Sequence, residues 1–288
     1  MLFLKRLIGF LIGNKVGWFF LKPFSRLGSY MSGVRYEIEQ SRNAIEEERI
    51  HEDIFASIFH ERKVLHGPFK GLQYPTYNAI GSTLYPKLLG SYERELHEVI
   101  EALSEKQFSE VINIGCGEGY YAIGLCRKFP SAKIFACDTD TQAIRLCQQM
   151  AALNYVADRM VFHTHFTASD LENFEFTGRG LIVCDCEGFE KYLFTLSNLD
   201  NLKECHLLIE VHDYIDIDIS TSLTKLFSTT HTLKIIKSLD DIEKAKVYQY
   251  DETVALDLYT KKKLFEERRP AMMEWFYLTP ENRTIKET

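Results

Sequence analysis

Residues 111–119 read V-I-N-I-G-C-G-E-G, an apolar run that ends in three glycines spaced two apart. The run has the length and β-branched content of a buried strand, and Y-Y-A-I-G-L-C after it reads as a helix. Gly115, Gly117 and Gly119 permit a tight turn and close backbone approach, which a nucleotide-like ligand requires at a helix N-terminus. Downstream, A-K-I-F-A-C-D (132–138) forms a second apolar run that closes on Asp138, twenty-three residues after Gly115. An acid at that position can accept hydrogen bonds from both hydroxyls of a ribose.

The same rhythm continues along the chain. Strands are predicted at 110–114, 132–137, 159–163, 180–185, 206–211, 231–237 and 253–258. Helices are predicted at 119–129, 141–153, 189–196 and 217–228. This alternation implies an α/β fold with a doubly wound, seven-stranded, mainly parallel sheet and a ligand site at the carboxyl ends of its strands. Four segments are expected: a basic, apolar N-terminus (1–35), a helical appendage with a small hairpin (36–105), the sheet domain (106–262), and a C-terminal segment packed on it (263–288). Within the appendage, Ile38, Ile45, Ile50, Ile54 and Ile58 predict a long amphipathic helix over 36–63. Gly67-Pro68 and Gly71 punctuate the hairpin, and Ser91 is the expected N-cap of the next helix.

Composition narrows the class. A 288-residue chain that is 45% hydrophobic is long enough for one large domain with an appendage. Seven cysteines without paired spacing read as reduced core thiols in a cytosolic protein rather than disulfides or a zinc site. The net charge is −7, yet residues 1–36 carry Lys5, Arg6, Lys15, Lys22, Arg26 and Arg35 and no acid. The acidic remainder argues against nucleic acid as a partner. Charges interrupt every apolar run of the N-terminus before the ~20 residues that span a bilayer. Two readings of this segment stand: a helix packed on its own domain or in a homodimer, or a helix lying peripherally at the inner face of the membrane.

The glycine loop, its strand and Asp138 together resemble a class I S-adenosylmethionine-dependent methyltransferase. The loop is Gly-Cys-Gly-Glu-Gly rather than Gly-x-Gly-x-x-Gly, and no basic residue follows that would grip a pyrophosphate, which favours this family over a dinucleotide-binding protein. The resemblance implies S-adenosylmethionine as cofactor, with Asn113, Gly115, Cys116, Gly117, Glu118, Gly119, Asp138, Thr139 and His165 around it. Asn113 stands where the family often carries an acid. His163-Thr164-His165 stands near the family's adenine-contacting acid, a role that Asp170 can take from the following loop unless it merely caps a turn.

A second motif is L-I-V-C-D-C-E-G-F-E (181–190), followed by C-H-L-L-I-E-V-H (205–212). Asp185, Glu187, Glu210 and His212 emerge at the ends of adjacent strands, where three uses compete. They can bind a hard divalent cation resembling Mg2+, with Asp185, Glu187, Glu210 and His212 as ligands. Asp185, Glu187 or His212 can act as a metal-free catalytic base on a hydroxyl, or the carboxylates can hydrogen-bond a sugar. Alternatively Glu187-Gly188 is a turn, Glu190 opens an exposed helix, and only Asp185 matters. The pattern Asp-x-Glu-Gly-x-Glu with a later Glu-x-His is similar to FkbM-type methyltransferases. That likeness implies O-methylation of a hydroxyl, commonly on a sugar of a polysaccharide or glycosylated metabolite. Arg268, Arg269 and Trp275 then line the acceptor side, or pack with the C-terminal segment. A small-metabolite or protein acceptor, and a cofactor-binding scaffold without turnover, are the competing functions.

Overall fold

The computed structural model describes residues 10–281, and the chain divides into two units, residues 1–57 and 58–288. The first unit's long element is a helix, α1 (Lys15–Ile58), which passes through Pro23 without ending; residues 10–13 are helical too, with a bend at 14 between. The boundary expected at 35/36 therefore falls inside a helix. Nothing at V-R-Y-E breaks helical hydrogen bonding, and the charge change there is a change of surface, not of backbone. Residues 1–9 of the expected N-terminal segment lie outside the described residues.

The second unit is the expected seven-stranded sheet, in the order β3-β2-β1-β4-β5-β7-β6. Its strands are β1 (Glu110–Ile114), β2 (Lys133–Cys137), β3 (Met160–His163), β4 (Gly180–Cys184), β5 (His206–Val211), β6 (His231–Lys237) and β7 (Glu274–Pro280). The first five are parallel, while β7 runs antiparallel between β5 and β6. Every residue of β1, β4 and β5 is buried, as both faces of a covered parallel sheet require. On one face Ile112, Ile182, Leu207 and Ile209 pack with Leu223 and Phe227 of a helix over Ile219–Phe227.

The seventh strand is not the expected 253–258. Asp257 there accepts a hydrogen bond from the Thr260 amide at 2.9 Å and caps a helix, Leu258–Phe265. The strand comes instead from the C-terminal E-W-F-Y-L-T-P, expected only to pack on the domain. Its alternation places Phe276 and Leu278 in the core that also holds Ile209. Ser91 is not a helix cap either: its hydroxyl donates to the Pro86 carbonyl, and the chain makes a short 3-10 turn, Arg94–Leu96, before the helix His97–Ser104. The expected hairpin reduces to a single antiparallel bridge between Lys63 and Gln73.

From β1 the crossovers proceed outward through β2 to β3, and from β4 they proceed the other way to β5. The sheet therefore has its topological switch between β1 and β4, and a crevice opens there at the strands' carboxyl ends. The two sequence motifs end side by side at this point, because Ile114 pairs with Cys184.

Candidate active site

Gly115 has φ +75°, and a Cβ on it would stand 1.6 Å from the Asp185 carbonyl oxygen. No other residue lets β1 and β4 close up at the switch. The turn then points the Gly117 amide at Asp138, whose Oδ2 accepts at 2.8 Å, while Oδ1 accepts from the Asp140 amide at 2.9 Å. Asp140 in turn caps the helix Thr141–Leu153 through the Gln142 amide. The acid at the tip of β2 is thus held rigidly by backbone.

A cavity of about 630 Å³ lies over these elements. Gly115, Cys116, Gly117, Asp138, Thr139 and His165 line one part of it, and Asn113 reaches it from β1. Asn113 is buried; its Nδ2 donates to the Val183 carbonyl at 3.3 Å, but its Oδ1 makes no hydrogen bond. A buried acceptor without a donor is costly, and at a cavity wall it marks a place for a ligand N–H.

Two expected cofactor residues stand elsewhere. Glu118 is 0% exposed and forms an ion pair with Lys87 at 2.6 Å, while also accepting from Tyr74 Oη and the Ile80 amide at 3.1 Å each. It ties residues 80–82 above the glycine loop instead of facing the cavity, because Lys87 supplies the charge that its burial demands. Gly119 is the left-handed residue before the helix Tyr120–Lys128, packed against Ile123 and Cys147. Asp170 forms a reciprocal capping box with Thr167, which holds its carboxyl below the usual range, so it caps a turn.

The other part of the cavity is lined by Asp185, Glu187, Phe189, Tyr92, Tyr121 and Trp275. β4 ends at Cys184 and β5 at Val211, so strand alternation does not position the acids. A turn does: Glu187 has φ +52° and Gly188 φ +94°. It brings Asp185 Oδ1 and Glu187 Oε2 to 3.4 and 3.5 Å from His212 Nε2. The opposite ring nitrogen, Nδ1, lies 2.7 Å from Glu190 Oε1. Glu190, expected at the start of an exposed helix, is 0% exposed and is the imidazole's orienting partner. Burial pulls the His212 pKa down, but the hydrogen bond and charge of Glu190 outweigh it and leave it raised. Burial, reinforced by Glu210, Glu93 and Glu187, pushes the Asp185 carboxyl well above the usual carboxylate range.

Glu210, expected as a metal ligand, belongs to a different network. It pairs with Arg269, which also meets Glu93 at 2.6 Å and Glu267 at 2.9 Å. Within β5 Glu210 meets that guanidinium, while His212 lies past the strand end and meets the acids of 185–190. Among the described residues, Asp185, Glu187 and His212 form a trio whose ligand atoms lie within 4.8 Å of one another. Arg268 is paired with Glu266 at 3.5 Å and does not line the cavity. Trp275 does, and its buried Nε1 makes no hydrogen bond. Sequence reasoning missed Tyr74, Lys87 and Glu93, and named Glu190 only as the start of an exposed helix. The lysine inside the apolar L-Y-P-K-L-L-G was the available signal, since a buried ammonium requires an acid.

Residues 97–179 match the family model of the methyltransferase small domain. The chain is 31% identical over 71 residues to the release factor glutamine methyltransferase of Synechocystis sp., covering 25% of this chain and 24% of that protein. It is 39% identical over 56 residues to the malonyl-[acyl-carrier protein] O-methyltransferase of Priestia megaterium, covering 18% and 20%. Among solved structures it is similar to precorrin-6y C5,15-methyltransferase from Geobacter metallireducens, at 14% identity and TM-score 0.41 over 64% of this chain and 88% of that one. The chain spans about a quarter or less of the length of the curated relatives it matches. The family match runs from the helix His97–Ser104 through β3 and ends before β4, so the likeness to methyltransferases falls on the glycine-loop half of the cavity.

Proposed function

We propose that the chain is an S-adenosylmethionine-dependent methyltransferase of the class I fold, and that it is an O-methyltransferase acting on a hydroxyl. The observation that carries the reading is that Asp185 lines the same cavity as the glycine loop and Asp138. The cavity suits the cofactor: Asn113 Oδ1 offers an unused acceptor to an ammonium, and Asp138 stands at the tip of β2 for a ribose. When bound, S-adenosylmethionine supplies an electrophilic methyl group on a sulfonium that is its own leaving group.

The protein's task is to align an acceptor hydroxyl and take its proton. Surroundings that raise the Asp185 carboxyl make it a stronger proton acceptor than an ordinary carboxylate, which suits a general base. Asp185 fills that role, and His212 Nε2 behind it takes up the charge change, with Glu190 holding the ring in orientation. Phe189, Tyr92, Tyr121 and Trp275 give the acceptor side aromatic faces, and the free indole N–H offers one donor to an acceptor oxygen. This lining favours a sugar ring, as does the similarity of 181–212 to FkbM-type enzymes. The second reading adds a divalent cation on Asp185, Glu187 and His212, favoured by their compact arrangement and by the carboxylate behind the imidazole.

Calorimetry with S-adenosylmethionine, followed by methyl transfer to a panel of glycans and hydroxylated metabolites, tests the proposal. Micromolar cofactor binding and product with a new methyl ether are expected. Absence of cofactor binding would overturn the enzyme reading, and methylation of nitrogen or carbon alone would overturn the hydroxyl. Loss of turnover on chelation would select the cation-assisted form.

A further inference from the structure

We infer that the N-terminal part of α1 is an interfacial anchor that seats on an anionic lipid bilayer surface. Val16, Phe20, Phe24, Leu27, Met31 and Val34 recur at spacings of three and four, which aligns them along one side of a helix with 3.6 residues per turn. Phe19 and Tyr30 flank that stripe. These are not core residues: Phe19 is 72%, Phe20 67% and Phe24 71% exposed. Among the described residues no helix is long and apolar enough to cross a membrane.

Charge identifies the partner. Lys15, Lys22 and Arg26 fall together on the flank beside Phe19, and all three are exposed. No acid occurs before Glu37, after which acids crowd the helix. Within α1, Ser25, Ser29 and Ser32 occupy the side away from the stripe, with Trp18 among them, where a helix lying in an interface faces water. A second copy packed in parallel would bring like charges together with no acid opposite them, whereas anionic headgroups neutralise them while the stripe enters the acyl boundary. This seating is independent of the acceptor chemistry. It goes beyond the methyltransferase reading by placing the enzyme at a lipid surface.

The test is co-sedimentation of the full chain with vesicles of phosphatidylcholine alone and of phosphatidylcholine mixed with phosphatidylglycerol. Binding to the mixed vesicles is expected, weakening as salt rises. A Lys15→Gln, Lys22→Gln, Arg26→Gln variant should lose about a hundredfold in affinity, at roughly fivefold per charge. Phe20→Glu with Phe24→Glu should abolish binding. Unchanged melting and calorimetric cofactor titration would confirm that the variants are folded. Failure of the parent chain to bind the mixed vesicles overturns the inference, as does equal, salt-insensitive binding to both compositions. A parent that is dimeric by light scattering, does not sediment with vesicles and becomes monomeric with Phe20→Glu and Phe24→Glu would assign the stripe to a second copy and overturn it as well.

Discussion

Two groups of carboxylates lie near each other in the second unit, and they are organised in opposite ways. In the first, Glu93, Glu210 and Glu267 surround Arg269, and Lys244 meets Glu267 at 2.6 Å. Burial is nearly complete and each acid has a fixed cation. In the second, Asp185, Glu187 and Glu190 surround His212, whose charge is conditional, and Glu187 is 66% exposed. A closed network with permanent cations ties the segment before β7 to the rest of the domain. An open one with a titratable cation can exchange a proton with a ligand. The difference teaches that acid content alone does not identify a reactive centre; the permanence of the counter-charge does.

Breaking the closed network should have the largest effect on stability. Arg269→Met leaves three buried carboxylates without their common partner and should cost about 3–5 kcal/mol, read by chemical denaturation. The network also carries a pH signature. Burial, against the pull of Arg269, raises Glu93 to about 7. A carboxyl raised on folding contributes stability that is present below its unfolded pKa and is lost as pH rises through its folded one. Stability should therefore decline from the ordinary carboxylate range up to about pH 7, and Glu93→Gln should flatten that decline.

The open cluster should respond in turnover instead. Asp185→Asn should lower kcat on the order of 10²-fold or more, with cofactor affinity and melting temperature nearly unchanged. An acid limb in the parent's kcat profile displaced above the ordinary carboxylate range is expected, and it should vanish in that variant. If Asp185→Asn melts well below the parent, the acid belongs with the structural group and the contrast fails.

Glu190→Gln should have an intermediate effect of about tenfold in kcat, a loss of orientation rather than of the base. Because Glu190 holds the His212 pKa up, the imidazole's titration followed by NMR should move to lower pH. A raised histidine stabilises the fold below its unfolded pKa, and the contribution is lost as pH rises through the folded value. The stability gap between parent and variant should thus be widest in acid and narrow toward alkaline pH. Glu187→Gln should be the mildest, within about threefold in kcat, because water already solvates that carboxylate. A much larger loss, together with chelator sensitivity, would favour the cation-assisted reading.

Much of this was legible in the chain itself. The apolar runs with glycine punctuation located six of seven strands and the turn carrying Gly115, Gly117 and Asp138, because strand length, turn conformation and helix capping are local properties. Asp185 and His212 were identifiable as acids and a base at the ends of neighbouring strands. Hidden from the sequence were the partners. In a linear reading Glu118 stands with the cofactor loop and Glu190 opens an exposed helix, yet each is fully buried because Lys87 or His212 arrives from an element 31 or 22 residues away. Glu210 appeared to share a site with His212 until Arg269, 59 residues downstream, claimed it. Local sequence determines where a strand ends and which group stands there. Only tertiary structure decides which charge meets it, because the cost of burying an ion is settled by whatever the fold brings within a few ångströms.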